Sequence, residues 1–231
     1  MAVAPTLILR ARAVLPIWRP PIEDGAVVLS GDRILSVSEW KRLPAAKAAP
    51  VLDLGDSILL PGLINAHCHL DYTHMAGLFP PPKKFTDWIK LITTEKASWS
   101  YSDYARSWID GAKQLLRTGT TTVADIEAVP ELLPDVWNTT PLRVISHLEM
   151  TGVKSRRSPD EILVEALETI RSLKHPRSFA AISPHAPYST TGRLLQRAAA
   201  AARKRKLPVT THVAESSCEF EMFMQAQGEM F

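Results

Sequence analysis

The chain has 231 residues, of which 45% are hydrophobic and 22% charged, and its formal net charge is +3. These values are typical of a globular protein with one large or two small domains. The small, dispersed charge gives no reason to expect a nucleic-acid or membrane partner. Two cysteines are too few for a disulfide framework. The first residues lack the long apolar core of a secretory signal or a spanning helix, so we expect a cytoplasmic protein.

Residues 6–54 predict short strands separated by turns. Asp24-Gly25 and Gly31-Asp32 are turn signals, and apolar or alternating runs flank them. Closely spaced strands without helices favour a small antiparallel sheet. We therefore assign residues 1–56 to an N-terminal β-sheet domain, part of a composite β-sandwich.

After residue 57, apolar strand candidates alternate with longer helical stretches, which is the pattern of βα units with a parallel sheet. Ser158-Pro159 with Glu161 predicts a helix start, and Gly119 predicts a helix end. The predicted strands cover 58–67, 121–126, 142–149, 179–185 and 208–213. The predicted helices cover 85–98, 102–117, 159–174 and 191–206.

A His-x-His pair closes the first of these strands. In an extended strand, side chains two positions apart point to the same side, with a rise of about 3.3 Å per residue. His67 and His69 can therefore reach one metal ion together, while Cys68 faces away. The alternative is a pair of histidines at a strand end that only form hydrogen bonds.

Three motifs in order resemble the amidohydrolase superfamily: PGLINAHCH at 61–69, SPHAPYS at 183–189 and THVAES at 211–216. The similar branch contains guanine, adenosylhomocysteine and aminofutalosine deaminases and triazine hydrolases. The resemblance implies an α/β fold with a TIM-type (β/α)8 barrel, to which residues 57–231 would contribute about five βα units. Five parallel strands cannot close such a barrel, which typically needs about 250 residues. We therefore expect an incomplete barrel and a C-terminally truncated chain.

The resemblance implies that His67, His69 and His212 bind one divalent metal ion. The carboxyl ends of barrel strands share one mouth, so residues far apart in sequence can meet there. Three imidazoles suit a catalytic zinc site with a position left for water. Zinc is the expected metal, with iron as the alternative. In the resembled deaminases, a further ligand is an aspartate at the end of strand eight, which these residues do not include.

The same resemblance assigns roles to three more residues. Glu215 would carry a proton between a metal-activated water and the substrate ring. Strand alternation places Glu215 opposite His212, so this role requires the strand to end near Val213 and the loop to turn back. The alternative for Glu215 is a helix N-cap or surface residue. His185 would bind substrate, the alternative being a hydrogen-bonded loop histidine, and Glu149 is a candidate substrate contact.

Five further titratable residues have weaker or structural interpretations. Asp71 and His74 are weaker candidates near the mouth of the predicted barrel. His147 is expected to be structural, and His175 to cap a helix dipole. Cys68 is expected to pack in the core.

The resemblance implies a metal-dependent hydrolase that deaminates an aminopurine or related N-heterocycle. The segments HCHLD (67–71) and FTDWI (85–89) are most similar to aminofutalosine-deaminase-like proteins. A triazine-type or cyclic-amide hydrolase would use nearly the same residues, and a truncated, non-catalytic homologue is the alternative from another class. We expect a small-molecule substrate and, by analogy with the family, a homodimer.

Overall fold

In a computed structural model, the chain is described over residues 6–43 and 49–231. It divides into two compact units, one ending at Gly62 and the other running from Leu63 to Phe231. The strands of the described residues are β1 (Leu7–Val14), β2 (Ile22–Ser30), β3 (Arg33–Glu39), β4 (Val51–Asp53), β5 (Ile58–Leu59), β6 (Leu63–Cys68), β7 (Thr120–Glu127), β8 (Arg143–Met150) and β9 (Phe179–Pro184). Their α-helices are α1 (Phe85–Ser98), α2 (Tyr101–Arg117), α3 (Leu133–Val136), α4 (Pro159–Ser172), α5 (Gly192–Arg205) and α6 (Ser217–Gln225).

The first unit holds a mixed sheet rather than the antiparallel sheet predicted from the sequence. β1 pairs antiparallel with β2, and β2 with β3, as expected. β4 and β5 run parallel to β1 and follow each other along the edge of β1 that β2 leaves open. Ile58–Leu59 therefore belongs to the first sheet, and the unit ends after Gly62 instead of at the predicted residue 56.

The predicted turn at Asp24-Gly25 lies inside β2. Asp24 has a positive φ of 41°, and its carboxylate accepts a hydrogen bond from Arg10 Nε at 2.8 Å. A Cβ atom on Gly25 would lie 2.6 Å from Cγ2 of Val14, so glycine permits the close approach of β1 and β2. The glycine signal is therefore real, but it marks close strand packing and not a chain reversal.

The second unit is built from consecutive parallel strands in the order β6-β7-β8-β9. Helices connect these strands, as the alternating pattern predicted, and α1 has the predicted bounds. The fifth predicted strand is reduced to a parallel bridge between Ile182 and Val209. Pro208 lacks a backbone N–H, and among the described residues this segment pairs on one side only, so the ladder stays short.

Local signals explain where the helices of this unit begin and end. Ser158 and Glu161 form a reciprocal capping box at the start of α4, as predicted, and Ser100 and Asp103 form another at the start of α2. Gly119 follows α2 with φ of +86°, a conformation that favours glycine. None of the described helices combines the length and apolar character needed to cross a membrane.

Apolar residues of the parallel strands form the core of the second unit. Val123 and Val144 are fully buried beside Trp108 of α2 and the indole of Trp137. A second cluster joins Ile182 of β9 to buried residues of α4 and α5. The strands are thus held at fixed positions, which fixes where the residues at their carboxyl ends lie.

Asp125 of β7 is a titratable group inside this core. It is 0% exposed; its Oδ1 accepts from the backbone N–H of Leu70 and its Oδ2 from the indole N–H of Trp108, both at 2.9 Å. Burial raises the pKa of this carboxyl well above its ordinary value, and the charge of Glu127 acts in the same direction. The two hydrogen bonds connect β7 to α2 and to the turn that follows β6.

Substitution Trp108→Phe is expected to lower the free energy of unfolding by about 2 kcal/mol or more, because one buried oxygen of Asp125 loses its donor and the core loses ring contacts. Urea denaturation measures this change. Trp99→Phe is the control, since that half-buried indole bonds to Glu95 near the surface. Equal losses of stability in the two variants would contradict the structural role of the Trp108–Asp125 bond.

Candidate functional site

The end of β6 carries the His-x-His pair. Cys68, between the two histidines, packs against the core cluster of Leu70 and Trp108. The rings of His67 and His69 meet with centroids 5.2 Å apart. This arrangement follows the alternation expected of an extended strand. Burial and the charge of Asp125 raise the pKa of the Cys68 thiol to about 11, so this side chain stays protonated in the core.

His212 completes a group of three imidazoles. Its ring centroid lies 4.8 Å from that of His67 and 5.5 Å from that of His69. The backbone N–H of His212 donates to the carbonyl oxygen of His185 at 2.8 Å, and its Nδ1 donates to the same oxygen at 3.0 Å. A carbonyl only accepts, so Nδ1 carries a proton, and the lone pair of the neutral ring is on Nε2. That Nε2 lies 3.3 Å from Nε2 of His69.

The imidazoles of the His-x-His pair are neutral at physiological pH. Burial lowers the pKa of His69 to about 3, and neighbouring His67 and His212 act in the same direction. Burial and His212 also lower the pKa of His67. A neutral imidazole is the form that binds metal. Protonation of His67 and His69 is therefore disfavoured, which leaves their ring nitrogens able to bind a cation.

The donor set fits a divalent transition metal. One ring nitrogen from each of His67, His69 and His212 lies within 4.8 Å of the other two. Two nitrogens bound to one tetrahedral zinc, at about 2.05 Å each, lie about 3.3 Å apart. The Nε2–Nε2 separation of His69 and His212 is 3.3 Å. The bond from Nδ1 of His212 to a carbonyl is also the support that metal-binding histidines usually have.

His185 and Glu149 stand at the ends of the neighbouring strands β9 and β8. Nε2 of His185 lies 3.5 Å from Oε1 of Glu149, and its Nδ1 lies 2.5 Å from Oγ of Ser189. Burial lowers the pKa of His185, although the charge of Glu149 opposes that shift. The structure thus brings both predicted substrate-binding residues beside the imidazole cluster.

Glu215 is turned back towards the histidines. Ala214, which precedes it, has a positive φ of 56° and so interrupts the extended course of the chain. A carboxylate oxygen of Glu215 and ring nitrogens of His185 and His212 lie within 4.8 Å of one another. This is the chain reversal that strand alternation required for Glu215 to act together with His212.

The other predicted residues lie in different surroundings. His74 is half-exposed and pairs with Asp110 of α2, Nε2 to Oδ2 at 3.0 Å, so it is not part of the imidazole cluster. His147 is buried, with Nδ1 3.1 Å from the carbonyl oxygen of Ile145, in the structural role expected. His175 does not cap a helix dipole. Its Nδ1 accepts from the backbone N–H groups of residues 177 and 178 and so closes the turn before β9.

The structure adds Lys96 and Tyr72, which the sequence did not single out. Nζ of Lys96 lies 3.1 Å from Oδ2 of the buried Asp71 and 4.8 Å from the ring centroid of Tyr72. The ring of Tyr72 stacks on His69 with centroids 4.6 Å apart. Burial lowers the pKa of Lys96, but Asp71, Tyr72 and Glu149 raise it by more, so the amine stays charged. No sequence signal distinguishes this lysine from the solvated lysines of other helices.

A second carboxylate of β7, Glu127, is buried within electrostatic range of Asp71, Lys96 and Glu149 and was also missed. It is 3% exposed, and its Oε1 accepts from the backbone N–H of Val129 at 2.7 Å. Burial and the charge of Asp71 raise its pKa to about 8. Asp125 and Glu127, two positions apart at the end of an apolar strand, were the available sequence signal for this pair.

A cavity of about 1370 Å³ opens beside these groups. Its lining includes His69, His212, His185, Glu149, Glu215 and Tyr188. Trp88 of α1 also lines the cavity, and Phe85 packs behind the lining against the rings of Trp88, with centroids 5.6 Å apart, and of Tyr188, at 6.1 Å. The cavity therefore combines convergent polar groups with an aromatic wall, as small-molecule sites commonly do.

Comparisons with known proteins agree with this geometry. The chain matches the amidohydrolase family over residues 58–230. It is 31% identical over 219 residues to a 5-methylthioadenosine/S-adenosylhomocysteine deaminase of Nitratidesulfovibrio vulgaris, a match that covers 91% of this chain and 49% of that protein. The chain thus spans about half the length of the curated relatives it matches.

Solved structures show the same fold. A zinc-bound adenosine deaminase from Xanthomonas campestris superposes with a TM-score of 0.80 at 24% identity, covering 96% of this chain and 53% of that one. The aminofutalosine deaminase of Helicobacter pylori superposes with a TM-score of 0.81 at 21% identity, covering 97% and 55%. The predicted fold, part of a β/α barrel with a small N-terminal sheet, is confirmed.

The match over residues 58–230, the shared fold and the histidines gathered at the strand ends lead to one conclusion: the chain belongs to the amidohydrolase family.

Proposed function

We propose that this protein is a metal-dependent hydrolase that deaminates an aminopurine nucleoside or a related N-heterocycle. The observation that carries the proposal is the convergence of His67, His69 and His212 beside the carboxylate of Glu215. The 31% identity to a 5-methylthioadenosine/S-adenosylhomocysteine deaminase supports the substrate class. The proposal concerns the activity of the whole protein, of whose relatives this chain spans about half.

His67, His69 and His212 would hold one divalent metal ion, with zinc favoured because imidazole nitrogens at this spacing suit it. Bound there, the metal supplies Lewis acidity, which makes water a good nucleophile at neutral pH. His212 presents Nε2 because its Nδ1–H is held by the carbonyl oxygen of His185. The orientation of the His212 ring is therefore fixed by the protein before a metal ion binds.

Glu215 moves the proton. Its carboxylate lies within 4.8 Å of ring nitrogens of His185 and His212, close to where the water would be activated. A carboxylate in this position takes a proton from water and passes it to a ring nitrogen of the substrate, which prepares the amine to leave as ammonia. The oxygen of this water bonds to the ring carbon that bears the amine, and its second proton goes to the amine. The C–N bond then breaks, so one water is consumed, ammonia leaves and a carbonyl remains on the ring.

His185 and Glu149 hold the substrate ring. Both side chains are less than one-fifth exposed, and each reaches the same cavity. The neutral imidazole of His185 can donate or accept a hydrogen bond, whereas Glu149 accepts from ring or sugar donors. The rings of Trp88 and Tyr188 in the cavity lining suit a planar heterocycle. Dimerisation remains a prediction that follows from the resemblance, and a cytoplasmic location remains a prediction from the sequence.

The central test measures metal per chain and ammonia release. The purified protein is loaded with zinc and incubated with adenosine, 5-methylthioadenosine, S-adenosylhomocysteine, guanine and amino-substituted triazines. We expect about one zinc per chain and turnover of a purine compound. Turnover of triazines alone would favour the triazine-type alternative, and bound metal without any turnover would favour the non-catalytic one.

Substitutions His67→Ala and His212→Ala are each expected to weaken zinc binding by more than about a hundredfold, because each removes a direct ligand. The free energy of unfolding of the metal-free protein should change by less than about 1 kcal/mol, since both residues lie at strand ends. Competition with a chromogenic chelator measures the affinity. His175→Ala is the control, and wild-type affinity in His67→Ala would exclude that residue as a ligand.

Glu215→Gln is expected to keep the metal and lower kcat by a factor of about 100 to 10,000, because the amide cannot carry the proton. Steady-state ammonia release and metal analysis of the same samples measure both quantities. Glu168→Gln is the matched control, an exposed glutamate of α4. Full activity in Glu215→Gln would rule out the proton-carrying role.

A further inference from the structure

Two contacts hold Glu215 in its place. The hydroxyl of Tyr188 donates to Oε2 of Glu215 at 2.8 Å. The backbone N–H of Glu215 donates to Oε2 of Glu219 at 2.8 Å. One contact therefore orients the carboxylate, and the other anchors the backbone from which it extends.

The backbone contact explains how the unusual conformation of the chain at Ala214 is maintained. A residue with a side chain rarely adopts a φ of +56°, and such a conformation persists only where the surroundings determine it. The next residue, Glu215, is the one bonded to Glu219, which is 2% exposed. The buried carboxylate of Glu219 thus fixes the turn that brings Glu215 to the histidines.

Glu219 departs from the usual helix start in a way that serves this turn. It is the third residue of α6, and its N–H donates to Oγ of the N-cap residue Ser216 at 3.2 Å. In a capping box, a glutamate at this position accepts from the N–H of the N-cap residue itself. Here it accepts from Glu215, one residue earlier. The hydrogen bonding at the start of α6 therefore reaches one residue further than in a capping box, to the backbone of Glu215.

Tyr188 is itself fixed by aromatic contacts. Its ring meets His185 edge to face at 5.6 Å and Phe85 edge to face at 6.1 Å. A phenol is protonated at neutral pH, so its hydroxyl donates to an ionised carboxylate. The ring contacts place this donor beside one oxygen of Glu215.

We propose that Tyr188 and Glu219 are positioning residues that together direct the carboxylate of Glu215 towards His185 and His212. The inference rests on the proposed function of Glu215 as the proton carrier. It adds two residues, from the loop after β9 and from α6, to those on which the reaction depends. Positioning matters because a displacement of about 1 Å can cost a reaction about a hundredfold in rate.

The first experiment needs no turnover. Hydrogen exchange of the Glu215 amide is measured in the wild type, Glu219→Leu and Glu219→Gln. Leucine fills the buried position without an acceptor, so exchange should become faster by about tenfold or more. Glutamine keeps an acceptor oxygen and should restore most of the protection. Glu221→Leu, in the same helix, is the control and should leave the Glu215 amide unchanged.

The second experiment is kinetic. Tyr188→Phe removes one oxygen atom and keeps the ring, so the variant should fold and retain its metal. We expect kcat to fall about tenfold while KM and metal per chain stay within about twofold, because only the orientation of Glu215 changes. Tyr101→Phe, an exposed tyrosine at the start of α2, is the control.

Hydrogen exchange and kinetics together distinguish a failure of the positioning proposal from a failure of the proposed function. An unchanged Glu215 amide in folded Glu219→Leu, or an unchanged kcat in Tyr188→Phe, would overturn the positioning role of that residue. A fall in kcat matched by an equal rise in KM, or by loss of metal, would also overturn it. If the wild type released no ammonia while the Glu215 amide depended on Glu219, the proposed function would fail and the positioning of the Glu215 backbone by Glu219 would stand.

Discussion

The buried carboxylate of Asp125 is the constraint on which the site of this protein depends. Burying such a group without partners is costly, so its two oxygens must be satisfied inside the core. They are satisfied by an indole N–H from α2 and by the N–H of Leu70, the residue directly after His69. The chain is therefore held at the point where β6 ends and the His-x-His pair begins. Burial raises the pKa of Asp125, and the same low-dielectric surroundings strengthen the two hydrogen bonds that it accepts.

The carbonyl oxygen of His185 positions His212 at the opposite edge of the sheet from β6. It accepts from the backbone N–H and from Nδ1 of His212, so a single atom fixes both the course of the chain and the orientation of one imidazole. The segment that carries His212 pairs with β9 only through a short bridge. The contact with His185 therefore compensates for a ladder that Pro208 and a single-sided pairing keep short.

The electrostatics of the site separate two kinds of group. The imidazoles of His67, His69 and His185 have lowered pKa values because they are partly buried and adjacent to one another, which keeps them neutral and able to bind a cation or a ligand. Burial also raises the pKa of Glu127, while Lys96 keeps its charge through Asp71. Lys96, which lines the cavity, is thus a cation paired with a buried carboxyl group.

Much of this arrangement could be read from the residues alone. Alternation within a strand placed His67 and His69 together and Cys68 in the core, because side chains of an extended chain have a period of two. Apolar periodicity and capping residues located the helices, α1 with its observed bounds and α4 with its capping box at Ser158. These signals depend only on residues that are close in sequence, so they can be interpreted without knowledge of long-range contacts.

Other features depended on contacts between distant parts of the chain. The sequence marked Asp24-Gly25 as a turn, but packing against Val14 made it part of a strand. It could not show that β4 lies parallel to β1, that Lys96 is partly buried and paired with Asp71, or that His74 pairs with Asp110. The amino-acid sequence by itself determined which side chains could serve as ligands and where α1 and α4 begin. Only the tertiary structure decided which of them meet, because convergence at the strand ends and the turn at Ala214 arise from long-range packing and hydrogen bonds.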